Sequence, residues 1–265
     1  MVFIGYALAI LIGLSLGLIG GGGSILTVPV LVYVMGVDPV LATAYSLFIV
    51  GLTALVGSVE YARKQELDYR TALLFGAPSI VAVYLTRKLL VPLIPDPVLE
   101  FGSLSLSRNL MVMLLFAVLM VAASVSMIRK QRPQEGKKQM NPSLKYALVF
   151  AEGAVVGTLT GLVGAGGGFL IIPALVLLAR LPMRRAVGTS LLIIAAKSLI
   201  GFLGDIGNQP IDWQFLLIFS AFAIGGIVVG SALARRIRSE TLKPAFGWFV
   251  LIMGLYIIVW ELFFK

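Results

Sequence analysis

The chain has no cysteine and no histidine. That excludes disulfides, thiol chemistry, iron–sulfur clusters, His-based metal sites and a His general base. Charge is also scarce: 12% of the 265 residues are charged, against about 25% in a soluble globular domain. Only 12 are acids, most of them between apolar segments, and no paired-carboxylate constellation stands out. No GxxxxGKS/T phosphate loop is present, so the chain alone is not expected to drive transport with ATP. Met1 runs straight into apolar residues. Without a charged n-region or a small-residue cleavage site, no removable signal peptide is expected. These absences argue against an enzyme and call for no cofactor or metal.

What remains is apolar. Hydrophobic residues make up 59% of the chain and the mean hydropathy is +1.03. Several segments approach or exceed the ~18–20 apolar residues that span a bilayer, so an all-α polytopic membrane protein is expected. The net charge of +9 fits Lys and Arg accumulating in cytoplasmic loops. No basic helix with interleaved aromatics points to nucleic acid.

The chain is internally duplicated. GLIGGGGSILTVPVLV from Gly17 returns 144 residues later as GLVGAGGGFLIIPALV from Gly161. Aligned at that offset without a gap, Gly17 to Gly57 and Gly161 to Gly201 share 15 of 41 positions. Among them are Gly20/Gly164, Gly22/Gly166, Gly23/Gly167, Pro29/Pro173, Ser46/Ser190 and Gly57/Gly201. The register continues into the next loop, where Gln65 to Tyr69 matches Gln209 to Trp213. The halves are residues 1–130 and 145–265, joined by a polar, basic linker over 131–144.

Apolar segments fall at 2–19, 25–35, 40–59, 71–90 and 109–128, and again at 146–163, 169–179, 186–203, 215–234 and 245–264. The second segment of each half holds 11 residues. As a helix it rises ~16 Å, about half the hydrocarbon core. Each half is therefore read as a helical hairpin, broken or re-entrant at its Gly-rich tip, followed by three transmembrane helices. Whether the hairpin's first arm crosses fully stays open.

Lys and Arg set the topology. The linker region carries Arg129, Lys130, Arg132, Lys137, Lys138 and Lys145, and is expected in the cytoplasm. Arg63, Lys64 and Arg70 precede the segment at 71, whereas the corresponding loop near Asp205 and Asp212 has no positive charge. The turn at 36–39 has none, whereas its counterpart has Arg180, Arg184 and Arg185. Corresponding loops thus fall on opposite sides, which makes the halves an inverted-topology repeat with both termini outside. The ambiguous stretch from Arg87 to Arg108 is placed outside.

Glycine-rich irregular backbone at membrane depth survives only where protein or a water-filled cavity covers it. Paired interruptions in two halves of one chain mark the binding site of secondary transporters. The candidate site is accordingly Gly20, Gly21, Gly22, Gly23 and Ser24 with Gly164, Ala165, Gly166, Gly167 and Gly168. Each run precedes a short helix whose free N–H groups and positive end suit an anion. The alternative is that the glycines serve helix packing, the preferred reading for Gly17 and Gly57. Tyr45, Ser46, Thr189 and Ser190 offer hydroxyls to an oxyanion, or else bond back to their own helices. Lys197 lies in the middle of an apolar segment, where a charge is costly. It attracts the anion or pairs with Glu152, which is also a candidate for carrying a coupled proton. Pro29 and Pro173 interrupt the short helices. Glu60, Arg63 and Glu261 read as interfacial.

The four-glycine turn with its short proline-containing helix, the copy GLVGAGGGFLIIP and the following AVGTSL resemble the TauE/SafE family of sulfite and organosulfonate exporters. The resemblance covers essentially the whole chain. The first half departs from it, reading ATAYS where the second has AVGTS, which leaves the role of Tyr45 open. The resemblance implies a sulfur-oxyacid substrate, such as sulfite or a small organosulfonate, exported across the bacterial inner membrane by alternating access. An anion channel and a non-transporting membrane scaffold are the alternatives. The expected partners are the anion, lipid and a second copy of the chain, not nucleic acid.

Overall fold

Elements that are apolar nearly all round must bury themselves in protein or in lipid, and this chain does both. The structure, a computed structural model, describes residues 2–101, 104–128, 142–177, 179, 181–234 and 239–264. Most of the 131–144 linker lies outside the described residues. The first half runs α1 (Val2–Ile19), a 3-10 segment (Gly21–Leu26), one α-turn α2 (Thr27–Pro29), a π turn (Val30–Val34), α3 (Pro39–Arg63) and α4 (Tyr69–Leu85). A second π turn (Thr86–Leu90), α5 (Val91–Leu93) and α6 (Arg108–Ile128) complete it. The second half runs α7 (Pro142–Val163), α8 (Gly168–Leu177), α9 (Met183–Leu203), α10 (Trp213–Leu233) and α11 (Ser239–Phe263). A small antiparallel hairpin, β1 (Leu99–Phe101) with β2 (Leu104–Leu106), sits between α5 and α6, and Ile206 and Gln209 form an isolated β-bridge.

Among the described residues six spans are long and apolar enough to cross a membrane: Pro39–Arg63, Tyr69–Leu93, Arg108–Val125, Tyr146–Val163, Met183–Leu203 and Trp213–Leu233. Phe3–Ile19, Gly23–Val34 and Gly247–Phe263 are apolar but shorter. The α3 and α9 spans are 72% buried, against 44% or less for the other four. They form the inner pair, packed on each other. The outer helices turn Leu73, Val81, Val228, Ile252 and Leu255 outward, an apolar surface that lipid can cover.

The packing is reciprocal. α1 packs on α10, and its counterpart α7 packs on α4; α3 meets α10, and α9 meets α4. The reciprocity holds residue by residue at the 144-residue offset. A Cβ on Gly13 would strike Ala223, and one on Gly157 would strike Ser79. Gly57 faces Ile227, and Gly201 faces Val83. Gly17 and Gly57 thus sit in helix contacts, as their sequence context suggests.

The short helices also end alike. Pro29 lacks the N–H that a regular turn needs, and the chain widens after it: Met35 N donates to Val30 O (3.1 Å) and Val37 N to Leu31 O (2.9 Å). The counterparts are Ala179 N to Ala174 O (3.4 Å) and Leu181 N to Leu175 O (3.0 Å). Glu261, read from the sequence as interfacial, is buried at 2% exposure and accepts from the Tyr33 hydroxyl at 2.9 Å.

Two hydroxyls tie each half to the other. The Tyr45 hydroxyl accepts from the backbone N–H of Asp212 at 2.8 Å, and Thr189 Oγ1 accepts from that of Asp68 at 3.0 Å. Asp68 and Asp212 are themselves the N-caps of α4 and α10, with side chains accepting from Thr71 N and Phe215 N.

Gly226 packs against the Ile10 carbonyl, whereas its neighbour Gly225 faces open space. Gly226→Leu is expected to lower stability in detergent by about 3 kcal/mol, and Gly225→Ala to leave it within about 1 kcal/mol, on the stabilising side. Thermal unfolding of the purified variants checks both. Thr189→Val should cost about 1–2 kcal/mol and speed amide exchange at Asp68, while Tyr45→Phe does the same at Asp212. Hydrogen-exchange mass spectrometry reads the crossing directly; acceleration confined to the mutated half would contradict it.

Candidate functional site

Both glycine runs break their helices. Gly20 has φ 74°, and Gly164, Gly166 and Gly167 have φ 72°, 64° and 66°, the left-handed region where a Cβ is strained. The first run turns into 3-10 geometry at once, and the second loops before α8 begins at Gly168. The two runs touch backbone to backbone: a Cβ on Gly21 would overlap Gly168 Cα, and one on Gly168 would overlap Gly21 Cα. Gly20, Gly21, Gly23, Ser24 and Gly164 to Gly168 are all buried. The neighbours are again exchanged: Gly20 faces Val187, and Gly164 faces the counterpart of Val187, Thr43.

The N–H groups of Ala165, Gly166 and Gly167 donate to no backbone carbonyl among the described residues, nor does that of Gly21. Unpaired buried N–H groups are rare. Their presence at a helix start gives the turn a positive local field.

Lys197 on α9 is fully buried. Its Nζ donates to Thr160 Oγ1 at 3.0 Å and lies 2.7 Å from where a Cβ on Gly167 would sit. The ammonium group therefore caps the second glycine turn. The alternative pairing with Glu152 is not formed. Thr160 lies eight residues beyond Glu152 on α7, about 12 Å along the helix. That separation puts the carboxylate out of reach of an ammonium held at the turn. Glu152 Oε2 has no hydrogen-bond partner.

The hydroxyl candidates divide. Ser24 Oγ donates to Gly21 O at 2.7 Å and Ser190 Oγ to Val187 O at 2.8 Å, so both are spent on their own backbone. Tyr45 and Thr189 are spent on the crossed caps described above. Ser46 Oγ is buried without a partner. The structure therefore gathers the glycines, Ser24 and Lys197 at one place and sets Tyr45 and Thr189 to holding the halves together.

Sequence reading missed Arg87, which it placed in an outer loop. The π turn Thr86–Leu90 carries it inward to 0% exposure, while Lys88 stays exposed over the Tyr84 ring. Arg87 Nη1 donates to Thr43 Oγ1 at 3.0 Å and contacts Asp205 Oδ1 at 3.5 Å. Burial pushes the Asp205 carboxyl up from the usual carboxylate range, and the guanidinium beside it offsets this only in part. The signal in the sequence was the acidic loop with Asp205 and Asp212, which has no positive charge of its own to balance it. An open groove of about 700 Å³ between α4 and α7 is lined by Pro78, Val81, Leu85, Leu89, Phe150 and other mostly apolar residues. It offers nothing to hold an anion. Among the described residues no cluster of acids forms a metal site.

The profile of the family described as sulfite exporter TauE/SafE matches residues 5–257. A probable membrane transporter protein of Xylella fastidiosa is 31% identical over 252 residues, covering 94% of this chain and 91% of its own. The probable membrane transporter protein YunE of Bacillus subtilis is 26% identical over 275 residues, covering 96% and 97%. A probable membrane transporter protein of Methanocaldococcus jannaschii is 23% identical, covering 95% of each chain. No solved structure matches significantly. With the glycine turns, the six apolar spans and a family match over nearly its whole length, the chain belongs to the sulfite exporter TauE/SafE family of membrane transporters.

Proposed function

We propose that the protein is a secondary transporter of small sulfur oxyanions, sulfite or short organosulfonates, working by alternating access and exporting them across the bacterial inner membrane. The family description supplies the substrate class. The observation that carries the reading is the meeting of two broken, buried glycine turns, with unpaired amides at their starts and the Lys197 ammonium against one of them. Backbone N–H groups and an ammonium suit an oxyanion of three oxygens, and an organic tail suits the apolar surroundings.

The halves, 1–130 and 145–265, are read as inverted in the membrane. The reciprocal contacts of α1 with α10 and α7 with α4 support this, as do the opposite charges of corresponding loops. In that topology the 131–144 linker is cytoplasmic and both termini are outside. Gly21 and Gly168 are in backbone contact where the two turns meet. That favours a site opened to one side at a time over a continuous pore. Glu152, a half-buried carboxyl in the Tyr146–Val163 span, is the candidate carrier of a coupled proton.

Purified protein in proteoliposomes should take up sulfite or a sulfonate with saturation and show counter-flow. Gly166→Val, which puts a branched side chain at φ 64° against Val50, should bring flux down to that of empty vesicles while the protein still inserts. Wild-type flux no greater than empty vesicles for sulfite, thiosulfate, sulfoacetate and taurine would overturn the proposal. Flux that neither saturates nor shows counter-flow would assign the chain to the anion channels.

A further inference from the structure

Arg87 is a buried cation whose hydrogen-bonding capacity is mostly unused. It is fully enclosed, yet Nε and Nη2 have no acceptor, and Asp205 Oδ2, across from it, has no donor. A guanidinium is a planar fork with five donors. Nε and Nη2 share one edge of that plane, spaced to match two oxygens of a carboxylate, sulfonate or phosphate. In a purely structural clamp that edge would lie on the aspartate. Here the aspartate meets only Nη1, and only at 3.5 Å. The bidentate edge is turned elsewhere, and a buried charged donor without an acceptor is costly.

Its surroundings connect Arg87 to the second glycine turn. Arg87 is held by Thr43, whose backbone packs against Gly164, the first residue of the second glycine turn. Gly204 lets the arginine stem in, since a Cβ there would come 2.9 Å from Arg87 Cβ. Lys197 borders the same turn at Gly167. One buried cation therefore borders the glycine turn directly, Lys197 from α9, and a second, Arg87 just past the end of α4, is linked to it through Thr43. The duplicated packing requires neither. At the 144-residue offset Arg87 corresponds to Ser231, Asp205 to Tyr61 and Lys197 to Thr53. The packing that the two halves share does not account for either charge.

We propose that Arg87 binds the transported oxyanion through its Nε and Nη2 edge, forming a second station beside the Gly164 turn for which Asp205 is the built-in competitor. Thr43 holds the guanidinium plane in place, and the anion and the aspartate carboxylate contend for one positive charge. The ligand class is a small oxyanion with two oxygens free to lie side by side. The proposal rests on the transport reading above.

Isothermal titration of sodium sulfite into the purified protein tests it with two substitutions of opposite expected sign. Arg87→Lys keeps the charge but loses the two-donor edge, and should weaken binding about tenfold. Asp205→Asn removes the competitor and should tighten binding about threefold, an effect that misfolding does not produce. Size-exclusion profiles and thermal unfolding establish that each variant is folded; if Arg87→Lys is not, the Asp205→Asn result decides. A folded Arg87→Lys with wild-type affinity, or an Asp205→Asn that fails to bind more tightly, overturns the assignment and leaves the transport reading standing. A wild type that binds neither sulfite nor any sulfonate in the panel overturns both.

Discussion

Backbone amides and carbonyls are costly to leave facing hydrocarbon, and this molecule depends on how its two interrupted helices are kept away from it. A glycine run in a lipid-facing helix would expose several polar groups to hydrocarbon, each at a cost of several kcal/mol. Here the first run is laid against the second, Gly21 on Gly168, with α3 and α9 as the inner walls. The absence of side chains lets the main chains approach this closely, and the positive φ angles at Gly20, Gly164, Gly166 and Gly167 aim the amides away from the regular helical ladder. The remaining helices shield that junction. α1 with α10 and α4 with α7 form the flanks, and α6 with α11 forms a further packed pair.

Charge is then placed sparingly. Lys197 and Arg87 are fully buried, and neither has a bidentate carboxylate partner. Both lie against the second glycine turn, directly or through Thr43. Among the described residues no such cation lies beside the first turn; the residue equivalent to Lys197 is Thr53, whose hydroxyl donates back to Ile49 O at 2.6 Å. The duplication supplies a symmetric frame, and charge is added beside one of its two turns.

Much of this was legible in the sequence because its causes are local. The glycine runs, the prolines that follow and the 11-residue length of the second segment each act through nearby backbone. The broken tips and short helices follow directly. The ATAYS departure also turned out to preserve a role: Tyr45 and Thr189 perform equivalent caps, the longer side chain reaching Asp212 and the shorter one Asp68. What the sequence hid depends on rotation about a helix axis. Counting charges by segment put Arg87 in a loop, whereas one widened turn rotates it into the interior. Glu152 and Lys197 both sit in apolar segments, but their positions along α7 and α9 put them at different depths. Pattern alone does not report depth.

The crossed caps also bear on how the protein is made. Asp68 is translated 121 residues before the Thr189 hydroxyl that receives its amide proton. At about 5–20 residues per second, the start of α4 waits roughly ten seconds for its partner to leave the ribosome. Through that interval the first half sits in the bilayer as an unfinished piece, with α4 lacking α7 and α1 lacking α10. Assembly is thus a late docking of two incomplete halves, and the insertion machinery or surrounding lipid must shelter the first until the second arrives.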